Sequence, residues 1–161
     1  MPKLIEIIDD LLTTNIQYIA HQCNCLTNHS AGTAKRIYDE FPYSNVYKNR
    51  TIPSELGTIK ICGNGKDQRF VVNMFAQYYP GRAKFPNGSK DNPTLRINAF
   101  KECLRKVEKL PGLLQIAFPY KIGCNLGGGD WSKYKQMLEE FAERIYPFID
   151  VYIIKLNKSL W

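Results

Sequence analysis

The run from Ile116 to Trp131, Ile-Ala-Phe-Pro-Tyr-Lys-Ile-Gly-Cys-Asn-Leu-Gly-Gly-Gly-Asp-Trp, restricts this chain more than any other stretch. The apolar segment Leu113 to Phe118 predicts a buried strand. Gly123, Gly127, Gly128 and Gly129 follow it, and Asp130 opens a segment of helical period: Trp131, Tyr134, Met137, Leu138, Phe141, Ala142, Ile145. Strand, glycine-rich loop and helix N-terminus together suit phosphate. Glycines let the backbone approach closely, N–H groups can converge on an anion, and the helix dipole adds partial positive charge. The spacing is neither Gly-x-Gly-x-x-Gly nor a loop ending in Gly-Lys-Ser/Thr, so a different cradle is implied. The alternative is a flexible turn with Asp130 as helix cap.

A second stretch has the same layout. Ile16 to Gln22 reads as a strand feeding Cys23-Asn-Cys-Leu-Thr-Asn-His-Ser-Ala-Gly32, and Thr33 to Phe41 reads as a helix with Ala34, Ile37, Tyr38 and Phe41 on one face, stopped by Pro42. Two such loops at the carboxyl ends of neighbouring parallel strands form one crevice, the place where open α/β sheets bind ligands. Two anion-binding helix ends facing it suggest a diphosphate with a sugar.

Elsewhere, Leu4 to Ile8 predicts a first strand, and Gly57 to Cys62 with Arg69 to Phe75 a hairpin around Gly63-Asn64-Gly65. Ala76 to Asn92 reads as a long loop, of a length that usually has a task such as covering a site. Asn92-Pro93 caps a helix over Thr94 to Lys109 with Phe100, Cys103, Leu104 and Val107 inward, and Val151 to Leu156 forms a last strand. Alternating strands and helices, with several strands apolar throughout, argue for an α/β fold with a mixed central sheet and helices on both faces. The 161 residues fit one domain, 1–161.

Composition narrows the chemistry. The net charge of +7 favours anionic partners, but the basic residues are scattered, which fits solvated faces better than a nucleic-acid groove. Five cysteines, none spaced as Cys-x-x-Cys, indicate reduced thiols and a cytoplasmic or nuclear setting. Cys23-x-Cys25 lacks a second ligand pair, so no metal or other cofactor is expected. No apolar run approaches the roughly 20 residues of a membrane span.

These landmarks, in this order, resemble the macrodomain family, which binds ADP-ribose. Ile7-Ile-Asp-Asp-Leu-Leu-Thr13 resembles its segment after the first strand, and Ile19-Ala-His-Gln-Cys-Asn-Cys25 the strand ending in its distal-ribose asparagine. Ser30-Ala-Gly-Thr-Ala34 resembles its first loop, Ile116 to Trp131 its phosphate loop, and Val151 to Leu156 its closing strand. The resemblance implies a three-layer α/β/α sandwich and a set of ligand contacts. Asp10 would hold the adenine amino group with the Leu11 backbone beside it, and Asn24, next to Cys25, would bond the distal ribose. Ala31, Gly32 and Thr33 would supply main-chain contacts, Gln77 and Pro119 would flank the ligand, and Gly123, Cys124, Asn125, Leu126, Gly127 and Gly128 would wrap the diphosphate. The adenine-stacking aromatic is open among Tyr43, Tyr78, Tyr79 and Tyr152.

His21-Gln-Cys-Asn-Cys25 resembles the branch containing the fungal ADP-ribose 1''-phosphate phosphatase, and also the hydrolases that release ADP-ribose from protein or nucleic acid. His21, Asn24, His29 and Asp130 are the catalytic candidates; histidine suits proton transfer near neutral pH. Structural alternatives stand beside them: His21 as a core or rim histidine, Asp130 as a cap, Cys25 as a half-buried thiol rather than a nucleophile. Gln77 stands where related hydrolases carry a lysine, Gly127 where they carry a loop aspartate, and Asn28-His29-Ser30 where another branch has an aspartate. These departures favour the phosphatase reading, with a non-catalytic ADP-ribose reader as the alternative from a different class.

Overall fold

A computed structural model describes residues 3–83 and 88–156. Positions 84–87, which belong to the expected Ala76–Asn92 loop, lie outside the described residues. Six strands form one sheet: β1 (Leu4–Ile8), β2 (Tyr18–Asn24), β3 (Ile59–Cys62), β4 (Phe70–Gln77), β5 (Gln115–Pro119) and β6 (Asp150–Lys155). Their spatial order is β1-β6-β5-β2-β4-β3, parallel throughout except for the β3–β4 hairpin at one edge. The sheet is therefore mixed, as the sequence predicts.

The period-two pattern of the strands sorts the core into two layers. Tyr18 and Ala20 of β2, Val72, Met74 and Ala76 of β4, Ile116 and Phe118 of β5 face α2 (Pro93–Val107) and α3 (Trp131–Ile145). Ile19 and Cys23, Val71 and Phe75, and Ala117 face α1 (Gly32–Glu40) on the other side. Helices on both faces explain why β4 is buried over nearly its whole length, with no polar-out alternation.

The expected elements all occur, with shifted ends. β2 starts and ends two residues later than Ile16–Gln22, because Tyr18 stacks on Phe70 with ring centroids 4.4 Å apart, while Ile16 only offers its carbonyl to Arg69. A 3-10 turn over Pro42–Ser44, which the sequence reading does not include, follows α1. One detail of register opens the site. β2 pairs with β5 only at Tyr18–Ile116 and Ile19–Ala117, although both strands continue toward their carboxyl ends. Beyond that point the two strands are no longer paired, and the gap is the crevice.

Candidate functional site

The crevice consists of two chambers at the carboxyl ends of β2 and β5. One, of about 240 Å³, is bounded by Asn24, Thr27, His29, Gln77, Gly81 and the glycine loop. The other, about 790 Å³, is bounded by Asp10, Leu11, Arg36, Ile154 and Lys155. Gly32, Thr33, Pro119, Tyr120, Lys121 and Asn125 border both, so the chambers form one continuous cleft.

Unpaired backbone amides concentrate there. α1 begins at Ala31 with no capping side chain, and the N–H groups of Gly32, Thr33 and Ala34 have no acceptor among the described residues. In the glycine loop, Ile122, Cys124, Gly128 and Gly129 donate to Pro119, Lys121, Asn125 and Gly123 carbonyls. The N–H groups of Gly123, Asn125, Leu126 and Gly127 have no acceptor among the described residues, and these four residues line the smaller chamber. Helix N-terminus and loop thus bring two sets of orphan donors to one cavity, a ready site for anionic oxygens.

The glycines also have a packing cause that the sequence does not show. A Cβ on Gly123, whose φ is +75°, would lie 2.8 Å from the Tyr134 ring and 2.9 Å from Gln22 Oε1. The loop is held against α3 by this close approach, and the amide groups are oriented by packing rather than by the ligand alone.

Asn24 sits where the resemblance places the distal-ribose contact, but its carboxamide is committed to the protein. Oδ1 accepts from the Leu26 and Thr27 amides, each at 2.9 Å, and from Arg50 at 3.0 Å; Nδ2 donates to Thr27 at 3.0 Å and Tyr47 at 3.3 Å. Asn24 therefore shapes the first loop as it borders the chamber. Gln77 is similarly tied: Nε2 donates to the Tyr79 carbonyl and Oε1 accepts from Gln22 Nε2 at 2.8 Å. The buried Gln22 Oε1 has no partner among the described residues, and a ligand hydroxyl or water that donates to it removes a penalty of about 1–3 kcal/mol.

His21 does not fit a titrating role near neutral pH. It is 1% exposed, its Nε2 lies 2.7 Å from Asn73 Oδ1, and burial lowers its pKa to about 4 against the weaker raising effect of the Asn73 bond. Asn73 Nδ2 donates to the Ser44 and Lys60 carbonyls, so Oδ1 faces the imidazole and accepts from Nε2–H and the Tyr38 hydroxyl. The folded pKa lies below the unfolded value, so the unfolded chain takes up the proton first. Stability is therefore full above about pH 6.5 and lost as the pH falls toward 4, by about 2–3 kcal/mol from this group. We expect urea unfolding of His21→Leu to show a flatter decline over that window than wild type; parallel declines would exclude His21 as the cause.

His21 borders the smaller chamber, whereas four expected site residues fall outside the cleft lining. Asp130 is exposed and caps α3, accepting from the Ser132 amide at 3.0 Å and its hydroxyl at 2.7 Å; the loop from β5 is long enough to carry the helix start away. Among the described residues, α1 alone presents its N-terminus to the crevice. Cys25 is fully buried in the layer beneath α1, and burial pushes its thiol up to about 11, which removes it as a nucleophile. Cys124 is packed against the other core layer, its thiol likewise pushed up to about 11 by burial. Gly128 is covered by the Arg82 side chain. His29, Asp10, Leu11, Ala31, Gly32, Thr33, Gln77, Pro119, Gly123, Asn125, Leu126 and Gly127 all border the cleft. Of the candidate aromatics, Tyr43 is bonded to the Arg69 carbonyl, and none of the four borders either chamber, whereas Tyr120 borders both.

Sequence reading also misses Arg96. Its guanidinium, 3% exposed, makes a bidentate pair with Asp91, both N···O distances 2.6 Å. It also donates to the carbonyls of Gly81 at 2.8 Å, Gly127 at 3.1 Å and Tyr79 at 3.3 Å, tying α2 to both walls of the smaller chamber. The signal was present: Arg96 lies at the spacing of the inward residues Phe100, Cys103 and Val107, a charge on an apolar stripe.

Solved structures share this fold. The macrodomain of Mycobacterium tuberculosis DarG aligns over 94% of this chain and 96% of its own, with a TM-score of 0.72 and 19% identity. This chain has the macrodomain fold. The Thermus aquaticus DarG macrodomain aligns over 96% and 97%, with a TM-score of 0.68 and 18% identity. A Trypanosoma brucei macrodomain in complex with ADP-ribose aligns over 98% of this chain and 65% of its own, with a TM-score of 0.67 and 12% identity. No family model and no curated protein matches the chain. The macrodomain fold agrees with the landmarks of the sequence.

Proposed function

We propose that the cleft binds ADP-ribose and hydrolyses ADP-ribose 1''-phosphate to ADP-ribose and phosphate. The observation that carries the binding is the meeting of the two sets of unpaired amides, from α1 and from the glycine loop, on one cavity. The diphosphate lies at the junction, the distal ribose in the chamber of Asn24 and His29, and adenosine in the chamber of Asp10 and Leu11. A macrodomain of the same fold has been crystallised with ADP-ribose, which supports this reading.

The chemistry follows from what borders the distal chamber. Among the described residues its lining has no carboxylate, but has His29 and the loop amides. Such a wall favours a terminal phosphate dianion over attack at a glycosidic carbon, which calls for a carboxylate or comparable base. Water adds to phosphorus, the bond from phosphorus to the C1'' oxygen breaks, and the leaving oxygen takes a proton. His29 is the side chain in the chamber able to carry it. The missing carboxylate also favours a second reading, a non-catalytic reader of ADP-ribose.

Titration calorimetry with ADP-ribose, followed by phosphate release from ADP-ribose 1''-phosphate, separates the two. Turnover that His29→Ala abolishes with binding retained supports the phosphatase; binding with no turnover in wild type leaves the reader. The adenosine end has its own test. Asp10 Oδ1 accepts from the Leu12 amide at 2.9 Å and lies 3.6 Å from Arg36. Asp10→Ala should weaken ADP-ribose by about 1–3 kcal/mol, roughly five- to 150-fold, with the fold intact by circular dichroism. Wild-type affinity in that variant would place adenine elsewhere.

A further inference from the structure

The adenosine chamber carries more positive charge than adenosine requires. Among the described residues, Arg36, Lys121 and Lys155 border it against the single carboxylate of Asp10. Arg36 is near that carboxylate, at 3.6 Å, whereas neither lysine forms an ion pair among the described residues. Both ammonium groups flank one ring: Lys155 Nζ lies 4.7 Å and Lys121 Nζ 5.7 Å from the centroid of Tyr120. The lysine at 121 also holds a left-handed backbone, φ +59°, in the turn after β5. Glycine adopts that conformation without strain, so a side chain kept there at a cost points to a use for it.

Position decides which part of a ligand meets these cations. Tyr120 and Lys121 border both chambers, between the amides that take the diphosphate and the Asp10–Leu11 end that takes the base. In that reading of the cleft, the ribose of adenosine falls between those points, in the part bordered by Tyr120 and Lys121. We propose that this part of the cleft accepts a further phosphate, a monoester on the 2′ or 3′ oxygen of the adenosine ribose, held by Lys121 and Lys155. The ligand class is then a phosphorylated ADP-ribose rather than ADP-ribose alone. The inference rests on the reading of the cleft as an ADP-ribose site.

The test is calorimetry at low salt with ADP-ribose, its 2′-phosphate and its 3′-phosphate. One phosphorylated ligand is expected to bind about tenfold tighter than ADP-ribose, the scale of a dianion meeting two half-solvated ammonium groups. The ratio should fall about threefold in Lys121→Gln or Lys155→Gln, approach one in the double variant, and shrink at high salt as screening grows. Equal or weaker binding of both phosphorylated ligands, with ADP-ribose bound, overturns this inference and leaves the proposed function standing. Failure of ADP-ribose itself to bind overturns both. A short oligoadenylate that binds as tightly as the monoester, with the same lysine dependence, overturns the monoester in favour of a nucleic-acid backbone.

Discussion

Gly127→Val is expected to lower the affinity for ADP-ribose by about a hundredfold or more, the scale of an overpacked site with nowhere to relax. A Cβ at this position would lie 2.7 Å from the Gly123 carbonyl oxygen and 3.2 Å from Gln77 Oε1. Neither neighbour can retreat cheaply. The Gly123 carbonyl already accepts the Gly129 amide at 3.0 Å, and Gln77 is bonded to Gln22 and to the Tyr79 carbonyl. The loop itself must move, carrying with it the unpaired amides of Gly123, Asn125, Leu126 and Gly127. Gly128→Ala makes the control. There the Cβ would meet the Arg82 side chain at 2.6 Å, which can swing away, and the remaining cost is the strained φ of +69°. A smaller loss, below about tenfold, is expected for it. Calorimetry on both variants checks the pair; wild-type affinity in Gly127→Val would mean that this loop is not the wall that holds the phosphates.

Arg96→Met should produce the largest loss of stability, about 3–5 kcal/mol, the range for removing one partner of a buried ion pair. Asp91, 6% exposed, would keep a carboxylate without its fork, the Gly127 carbonyl would lose its donor, and the Tyr79 and Gly81 carbonyls would keep only Gln77 Nε2. The corresponding drop in Tm is about 6–20 °C for a chain of this size. Arg96→Met combined with Asp91→Leu should recover part of the loss, because the uncompensated charge rather than the missing attraction dominates the cost. Urea unfolding of the single and double variants decides it. A single variant within about 1 kcal/mol of wild type would show that the pair is solvated and that the clamp on the glycine loop is not rigid. The two predictions are linked through one atom, the Gly127 carbonyl, which Arg96 holds at 3.1 Å from behind the cleft.

Local pattern determined the elements and their order. The strand periods, the caps at Asn92 and Asp130, the hairpin glycines and the two glycine-bearing loops were legible because each depends on residues within a few positions of one another. The cleft was legible to the same degree, since loops after parallel neighbouring strands converge whatever lies beyond them. What only the tertiary structure decided is which groups in those loops are already engaged. Nothing near His21 in the chain shows that it is buried against Asn73 of β4 and that this burial holds its pKa down, or that Tyr47 and Arg50 engage the Asn24 carboxamide. Nor does the glycine run disclose that Tyr134 packs against its Cα atoms, or that Arg96 reaches it from α2. Burial and hydrogen-bond satisfaction are properties of neighbours distant in sequence, and they separate a side chain that can act on a ligand from one that holds the wall in place.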